Sequence, residues 1–207
     1  FERYRGFLSG GNHVMALDKK AFVLILTSIT EISSLSVNVE NDVKTESLSN
    51  MVGKISGKRP NEIVLFSAHY DHLGIRGTKG DTIFNGANDD ASGTTAVITL
   101  AKYFKAMGTQ PERTILFAAF TAEEGGGYGS KYFSRQLNPD EIVAMFNIEM
   151  IGKPAVSGPN TAWVTGFDKS SFGELLQKAV KGTEYEFYAD PYPDQNLFYR
   201  SDNATLA

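Results

Sequence analysis

Asp89 and Asp90 stand side by side in "NGANDDASG" (85–93), with no basic residue in the segment. Two carboxylates in one glycine-flanked turn repel each other. Either a bound cation or a solvated turn feeding a helix must account for them. Three other stretches carry related residues: His69 and Asp71 in "AHYDHLG", Glu123 and Glu124 in "TAEEGGG", and Glu149 in "NIEM". One imidazole and several carboxylates form a donor set that suits zinc or a similar divalent cation. Taken singly, each has an ordinary account. A His-x-Asp is commonly structural, an Asp before a helix satisfies free N–H groups at its positive end, and a Glu-Glu after a strand commonly lies in a solvated loop. Glu149 is less ordinary, because a carboxylate following a buried strand needs a partner. Gathered together without a cation, these acids would repel strongly.

Stepping outward, the elements around these residues explain how they could meet. "IVLFS" (63–67), "RTILFAAFTAEE" (113–124) and "IVAMFNIEM" (142–150) are apolar runs of the kind that form strands buried on both faces. Further strands are predicted at Phe22 to Thr27, Leu35 to Val39, 51–57 and 162–166. Val97, Leu100, Ala101 and Phe104 mark one face of a helix that Gly108 ends. Helices are also predicted over 129–137 and over 170–182, the latter with Ser at its cap. Strands alternating with helices imply an α/β fold, a three-layer sandwich whose mixed, largely parallel central sheet is flanked by helices. In such sheets the carboxyl ends of the strands form the ligand crevice. His69, Glu123, Glu124 and Glu149 all fall at strand ends.

Composition narrows the function classes. The chain has 207 residues, enough for one domain with a sizeable core, and 42% hydrophobic residues. Its net charge of -4 lacks the basic footprint of a nucleic-acid binder. It has no Cys, which excludes thiolate metal sites, disulfides and thiol catalysis. No apolar run approaches the roughly 20 residues of a membrane helix. "GGG" (125–127) lacks the phosphate-loop pattern.

"AHYDHLG", "NGANDDASG", "TAEEGGGYGS" and "NIEMIG", in that order, resemble the M28 family of zinc peptidases, over roughly Ser49 to Lys153. The resemblance implies a co-catalytic pair of zinc ions. His69 and Glu149 would bind one, Glu124 the other, and Asp89 would bridge both. Glu123 would be the general base, taking a proton from the attacking water and passing it to the leaving amine. Asp71 would orient His69 by accepting its other ring N–H, and Asp90 would support the turn and the helix start. Glu149 stands where many members have Asp. His72 matches a position that is not a ligand in the family, and Ser201 and Asp202 would lie near the site.

The family completes the Glu124 zinc with a second histidine near its C-terminal end, whereas this chain has only His13, His69 and His72. The expectation is therefore a single catalytic domain over 1–207 without its closing strand, helix and last ligand. The complete protein would hold two zinc ions, and this chain one or none. The expected activity is aminopeptidase cleavage of peptides with a free N-terminus, in an exported protein, periplasmic or secreted, that neither spans a membrane nor binds nucleic acid. Two alternatives share the fold: a single-zinc enzyme resembling glutaminyl cyclases, and a non-catalytic peptidase-like binding domain. Trp163 is read as packing, and Tyr128 as a residue of the cleft or of a surface loop.

Overall fold

The computed structural model describes residues 14–17, 28, 31–38, 40 and 42–206. Two compact units divide the chain, Phe1–Ser47 and Leu48–Ala207. In the first unit the described residues form no helix or strand. The strand predicted at Phe22 to Thr27 lies outside the described residues. Of the one predicted at Leu35 to Val39, the described residues 35–38 form no strand, and Leu35 and Val37 are 59% and 48% exposed. Apolar alternation favours a strand only when a neighbour supplies the hydrogen-bond ladder and a surface to pack on.

The second unit is built on a four-stranded sheet of β1 (Met51–Ile55), β2 (Arg59–His69), β5 (Arg113–Phe120) and β6 (Ile142–Asn147), in the order β1-β5-β2-β6. β1 runs antiparallel to β5, and β2 lies parallel to both β5 and β6. A short hairpin, β3 (Gly74–Ile75) with β4 (Ile83–Phe84), follows β2. Two more parallel strands, β7 (Thr161–Val164) and β8 (Glu186–Ala189), form a separate pair. The helices are α1 (Ala91–Ala106), α2 (Tyr128–Ser134) and α3 (Phe172–Ala179).

Side chains of a strand alternate between its faces, and the central strands are apolar on both. Ile63, Leu65, Leu116, Ala118 and Phe120 form one cluster with Phe133 of α2. Ala68, Ile115 and Phe117 form a second with Val97 of α1, flanked by Leu100, Ala101 and Phe104. The sheet is thus the middle of three layers, as the uninterrupted apolar runs predict. Leu65, Ala118 and Phe120 are fully enclosed.

The elements are shorter than the sequence suggests. β5 stops at Phe120 and β6 at Asn147, because the residues beyond them turn away to present polar groups. α3 loses residues at both predicted ends, whereas α2 begins one residue earlier than predicted and loses only its last three. Ser171 is the N-cap of α3 but makes no side-chain cap bond, and the Ser170 hydroxyl accepts from the Phe172 amide at 3.2 Å instead. Trp163 is half-buried and packs edge-on against Tyr192, ring centroids 6.0 Å apart.

Leu65 tests the central position of β2. Leu65→Ala should lower the free energy of unfolding by about 2–5 kcal/mol, with little change in the denaturant slope. Urea unfolding followed by circular dichroism measures both.

Candidate metal centre

The sheet register brings the polar groups together. His69, the last residue of β2, lies opposite Phe120, the last of β5. Ser67 lies opposite Asn147, the last of β6. The three segments that carry His69, Glu123–Glu124 and Glu149 therefore leave the sheet at one edge, side by side.

Asp90 ties this edge to α1. It is the N-cap of α1, and its carboxylate is 1% exposed. One oxygen accepts from the Gly93 amide at 3.1 Å and the Met150 amide at 3.2 Å, and the other accepts from the His69 amide at 3.2 Å. Three segments distant in sequence are thus fastened to one side chain. Gly93 is required for this closeness, since a Cβ there would overlap the Ile148 carbonyl. The peptide bond between Asp89 and Asp90 is cis. Asn88 and Ser92 extend the same seam, accepting from the amides of Gly152 at 2.8 Å and Ile151 at 3.0 Å.

Two groups of donor atoms result. The ligand atoms of His69, Asp89 and Glu149 lie within 4.8 Å of one another, and so do those of His72, Asp89 and Glu124. Asp89 belongs to both. Its Oδ1 is 3.1 Å from His69 Nε2 and 4.0 Å from His72 Nδ1. Glu123 Oε2 is 4.0 Å from His69 Nε2. His69 Nε2, His72 Nδ1 and Asp89 Oδ1 are all buried, and none makes a hydrogen bond. Buried polar atoms are normally paired, and these orphaned atoms face one another. Two ligands about 2.1 Å from a tetrahedral zinc lie roughly 3.4 Å apart. The donor types, their separations and the missing hydrogen bonds all fit a divalent cation.

Asp71 does not contact His69 as the sequence reading has it. Its backbone carbonyl, not its carboxylate, lies 3.0 Å from His69 Nδ1, and the carboxylate is 3.8 Å away. The carboxylate instead accepts from the amides of Glu123 at 3.0 Å and Glu124 at 3.3 Å. The reason is local. β5 has ended, the two amides have no strand partner, and an acid two residues beyond β2 satisfies both.

Burial among like charges sets the protonation of the site. Desolvation pushes the Glu123 carboxyl up to about 7, with Glu149, Asp202 and Glu124 adding repulsion that His69 only partly offsets. Desolvation likewise raises Glu149, against the Ser201 hydroxyl and His69, which lower it. For His69, burial favours the neutral ring, but the charges of Asp90 and Glu123 outweigh it and raise the imidazole above its ordinary value. A divalent cation would favour the ionised carboxylates and the neutral ring.

Ser201 and Asp202 are at the site as well. Asn147 bridges Ser67 to Ser201, accepting from the first at 2.7 Å and donating to the second at 2.8 Å. Asp202 is 1% exposed, and desolvation pushes it up to about 6. The Ser130 hydroxyl lowers it somewhat but donates to the Gly127 carbonyl at 3.2 Å, and neither Asp202 oxygen has a hydrogen bond. No pattern in the sequence marks so complete a burial. His72, which the sequence reading sets aside as a position that is not a ligand in the family, is brought beside Asp89 and Glu124. Its signal was present: it follows His69 by three positions, in the loop that leaves the strand.

Two surface depressions lie elsewhere, one of about 350 Å³ beside Ile55 and Phe104 and one of about 700 Å³ beside Phe167 and Tyr185. Neither includes any residue of the donor groups.

The sequence model of peptidase family M28 matches residues 50–207. The chain belongs to peptidase family M28. It is 33% identical over 108 residues to a protein of Pyrenophora teres f. teres named "Probable zinc metalloprotease", covering 51% of this chain and 22% of that one. It is 30% identical over 134 residues to the "probable leucine aminopeptidase 2" of Aspergillus oryzae, covering 62% of this chain and 25% of that one. In fold it is similar to the solved aminopeptidase from Aneurinibacillus sp. strain AM-1, with a TM-score of 0.54 and 22% identity over 76% of this chain and 36% of that one. This M28 chain thus spans about a quarter of the length of the curated relatives it matches.

Because Asp90 satisfies two buried amides and a third that is partly buried, Asp90→Ala should cost the M28 chain at least ~2 kcal/mol, at roughly 1–3 kcal/mol per orphaned buried group. Asp140→Ala, in an exposed turn, should change stability by less than ~0.5 kcal/mol. Denaturant midpoints of the two variants, measured together, check the difference.

Proposed function

We propose that this chain carries the catalytic centre of an aminopeptidase that uses two zinc ions to cleave the N-terminal bond of peptides. His69, Asp89 and Glu149 would hold one ion, and Asp89 with Glu124 the other. The observation that carries the proposal is the pair of orphaned buried atoms, His69 Nε2 and Asp89 Oδ1, 3.1 Å apart, with the Glu123 carboxylate 4.0 Å from the same nitrogen. Bound there, zinc supplies Lewis-acid polarisation of a carbonyl and acidification of a water. The zinc peptidase and aminopeptidase names of the two curated relatives support the same reading.

The chain's own residues take the remaining roles. Glu123 is held by its backbone, through the Asp71 carboxylate, so that its side chain is free to face His69. Without a cation its carboxyl is pushed up to about 7, and a bound cation would favour the ionised form, the form that accepts a proton. Glu123 takes a proton from the attacking water as the new C–O bond forms. It gives that proton to the amine nitrogen as the C–N bond breaks. The water's oxygen stays with the acyl product, and Glu123 returns to its starting form. The excess of carboxylates around the donor groups also suits a positively charged α-amine on the substrate, which favours peptides with a free N-terminus.

Zinc should raise the melting temperature of the chain, since a ligand that binds only the native state stabilises it by mass action. On aminoacyl chromogenic substrates Glu123→Gln should lower kcat by about 10²–10⁴-fold. Elemental analysis should find its zinc content unchanged. A zinc-loaded chain that hydrolyses no aminoacyl substrate sinks the aminopeptidase reading. A Glu123→Gln protein with full turnover removes Glu123 from its role.

A further inference from the structure

Gly125, Gly126 and Gly127 follow directly on Glu123 and Glu124. The backbone explains two of them. Gly126 and Gly127 have φ of +122 and +68, in the region that favours glycine. Gly125 lies outside that region. A Cβ built on it would meet the Ala122 carbonyl and the Tyr128 ring at 3.7 Å, which is ordinary van der Waals contact. Glycine loses more conformational freedom on folding than any other residue. An exposed glycine that neither its backbone nor its described neighbours require points to something from outside that passes close to it.

An independent observation points to a ligand beside this loop. His69, 1% exposed, turns an unpartnered Nε2 toward Asp89, with the Glu123 carboxylate 4.0 Å away. Glu124, one residue before Gly125, belongs to the second donor group. The loop is also firmly held. The Gly126 amide donates to the Glu123 carbonyl at 2.8 Å, and the Gly127 amide to the Ala122 and Glu123 carbonyls at 2.9 Å. The backbone thus folds back over the residues that carry the acids. Lys131 Nζ donates to the Gly126 carbonyl at 2.7 Å and stands 6.0 Å from the centre of the Tyr128 ring. That ring walls the strip, 3.7 and 3.9 Å from where the Cβ atoms of Gly125 and Gly126 would be.

The reaction indicates the occupant. The amine nitrogen that receives the proton of Glu123 must come within about 3 Å of that carboxylate. The Cα attached to the nitrogen is only about 1.5 Å further on. The second residue of the peptide therefore lies against the segment that follows Glu123. We propose that Gly125 and Tyr128 form the seat of this leaving residue: its backbone crosses Gly125, and its side chain rests on the Tyr128 ring. The proposal rests on the aminopeptidase reading given above. It makes peptides with a large apolar or aromatic second residue the favoured substrates, because the ring offers both area and a π-face.

Three substrates test this on the zinc-loaded protein: leucinamide, which has no atoms beyond the leaving nitrogen, leucyl-glycinamide and leucyl-phenylalaninamide. The wild-type chain should favour the phenylalanine compound over the glycine one by about 2–10-fold in kcat/KM. Tyr128→Ala should erase that preference, chiefly through KM. Gly125→Ala should lower kcat/KM for both dipeptide amides at least about tenfold more than for leucinamide, since a crowded leaving residue is misplaced. Its melting temperature should be unchanged or raised, because alanine fits the backbone there. A leucyl-phenylalaninamide analogue with its scissile carbonyl reduced to methylene should shift the Gly125 and Gly126 amide resonances of the wild-type protein. A phenylalanine preference that is absent, or that survives Tyr128→Ala, overturns the proposal. Equal losses of Gly125→Ala on all three substrates, no loss on any, or a lowered melting temperature overturn it as well, and so does an analogue that binds without moving the Gly125 resonance. In each of these cases the aminopeptidase reading stands. A wild-type chain that cleaves none of the three sinks that reading, and this proposal with it. The resonances are read on the wild-type protein, so they decide the matter even where a variant fails to fold.

Discussion

A single buried carboxylate holds the working edge of this sheet together. Asp90 accepts amides from His69 at the end of β2, Gly93 in the first turn of α1 and Met150 beyond β6. Asp90 itself and two of the three residues it bonds, His69 and Met150, stand at or beside a member of the donor groups. His69 is itself a donor, Asp89 precedes Asp90, and Glu149 precedes Met150. The distances among the donors are therefore set by backbone, through a side chain that is not one of them. Burial pushes this carboxyl up to about 6, with His69 and the three amides pulling it down. It is paid for by geometry: three amides that no strand or helix could reach are satisfied at once.

The same edge is electrostatically overloaded. Glu123, Glu149 and Asp202 are all raised by desolvation and, to a lesser extent, by neighbouring carboxylates. A core of Leu65, Ala118 and Phe120 beneath them supplies the stability that lets such a group persist. The separation of labour is spatial. Apolar side chains alternate along β2 and β5 up to their ends, and polar chemistry begins where the ladders stop. A site with the opposite plan, with acids inside the sheet, would have no unpaired backbone to hold them and no open edge to admit a ligand.

What could be read from the sequence divides along the same line. β2, β5 and β6 are legible because burial on both faces requires uninterrupted apolar runs, and α1 because Val97, Leu100, Ala101 and Phe104 repeat at a helical period. The gathering of His69, Asp89, Glu123, Glu124 and Glu149 follows from their positions at strand ends and one helix start. Leu35 to Val39 misleads because alternation says nothing about whether a partner strand exists. The Asp71 contact is illegible for a different reason. Its carboxylate and its carbonyl lie within one residue, and only the path of the loop decides which of them meets His69 and which meets the Glu123 and Glu124 amides.

His72 shows how far such a loop can alter a site without altering a motif. His69 and His72 are three residues apart, but one closes a strand and the other lies beyond it. In an extended strand, residues three apart point to opposite faces. The chain must turn between them for both imidazoles to reach Asp89, and the turn is held where Tyr70 donates through its hydroxyl to the Ser49 carbonyl and its amide bonds the Phe120 carbonyl at 3.0 Å. Past the turn, the ring is braced by Phe84 and allowed in by Gly86, neither of which belongs to the donor groups. The His72 ring is placed here by two supports contributed by a hairpin and a glycine. Those supports, and not the spacing of the histidines, set it beside Asp89 and Glu124.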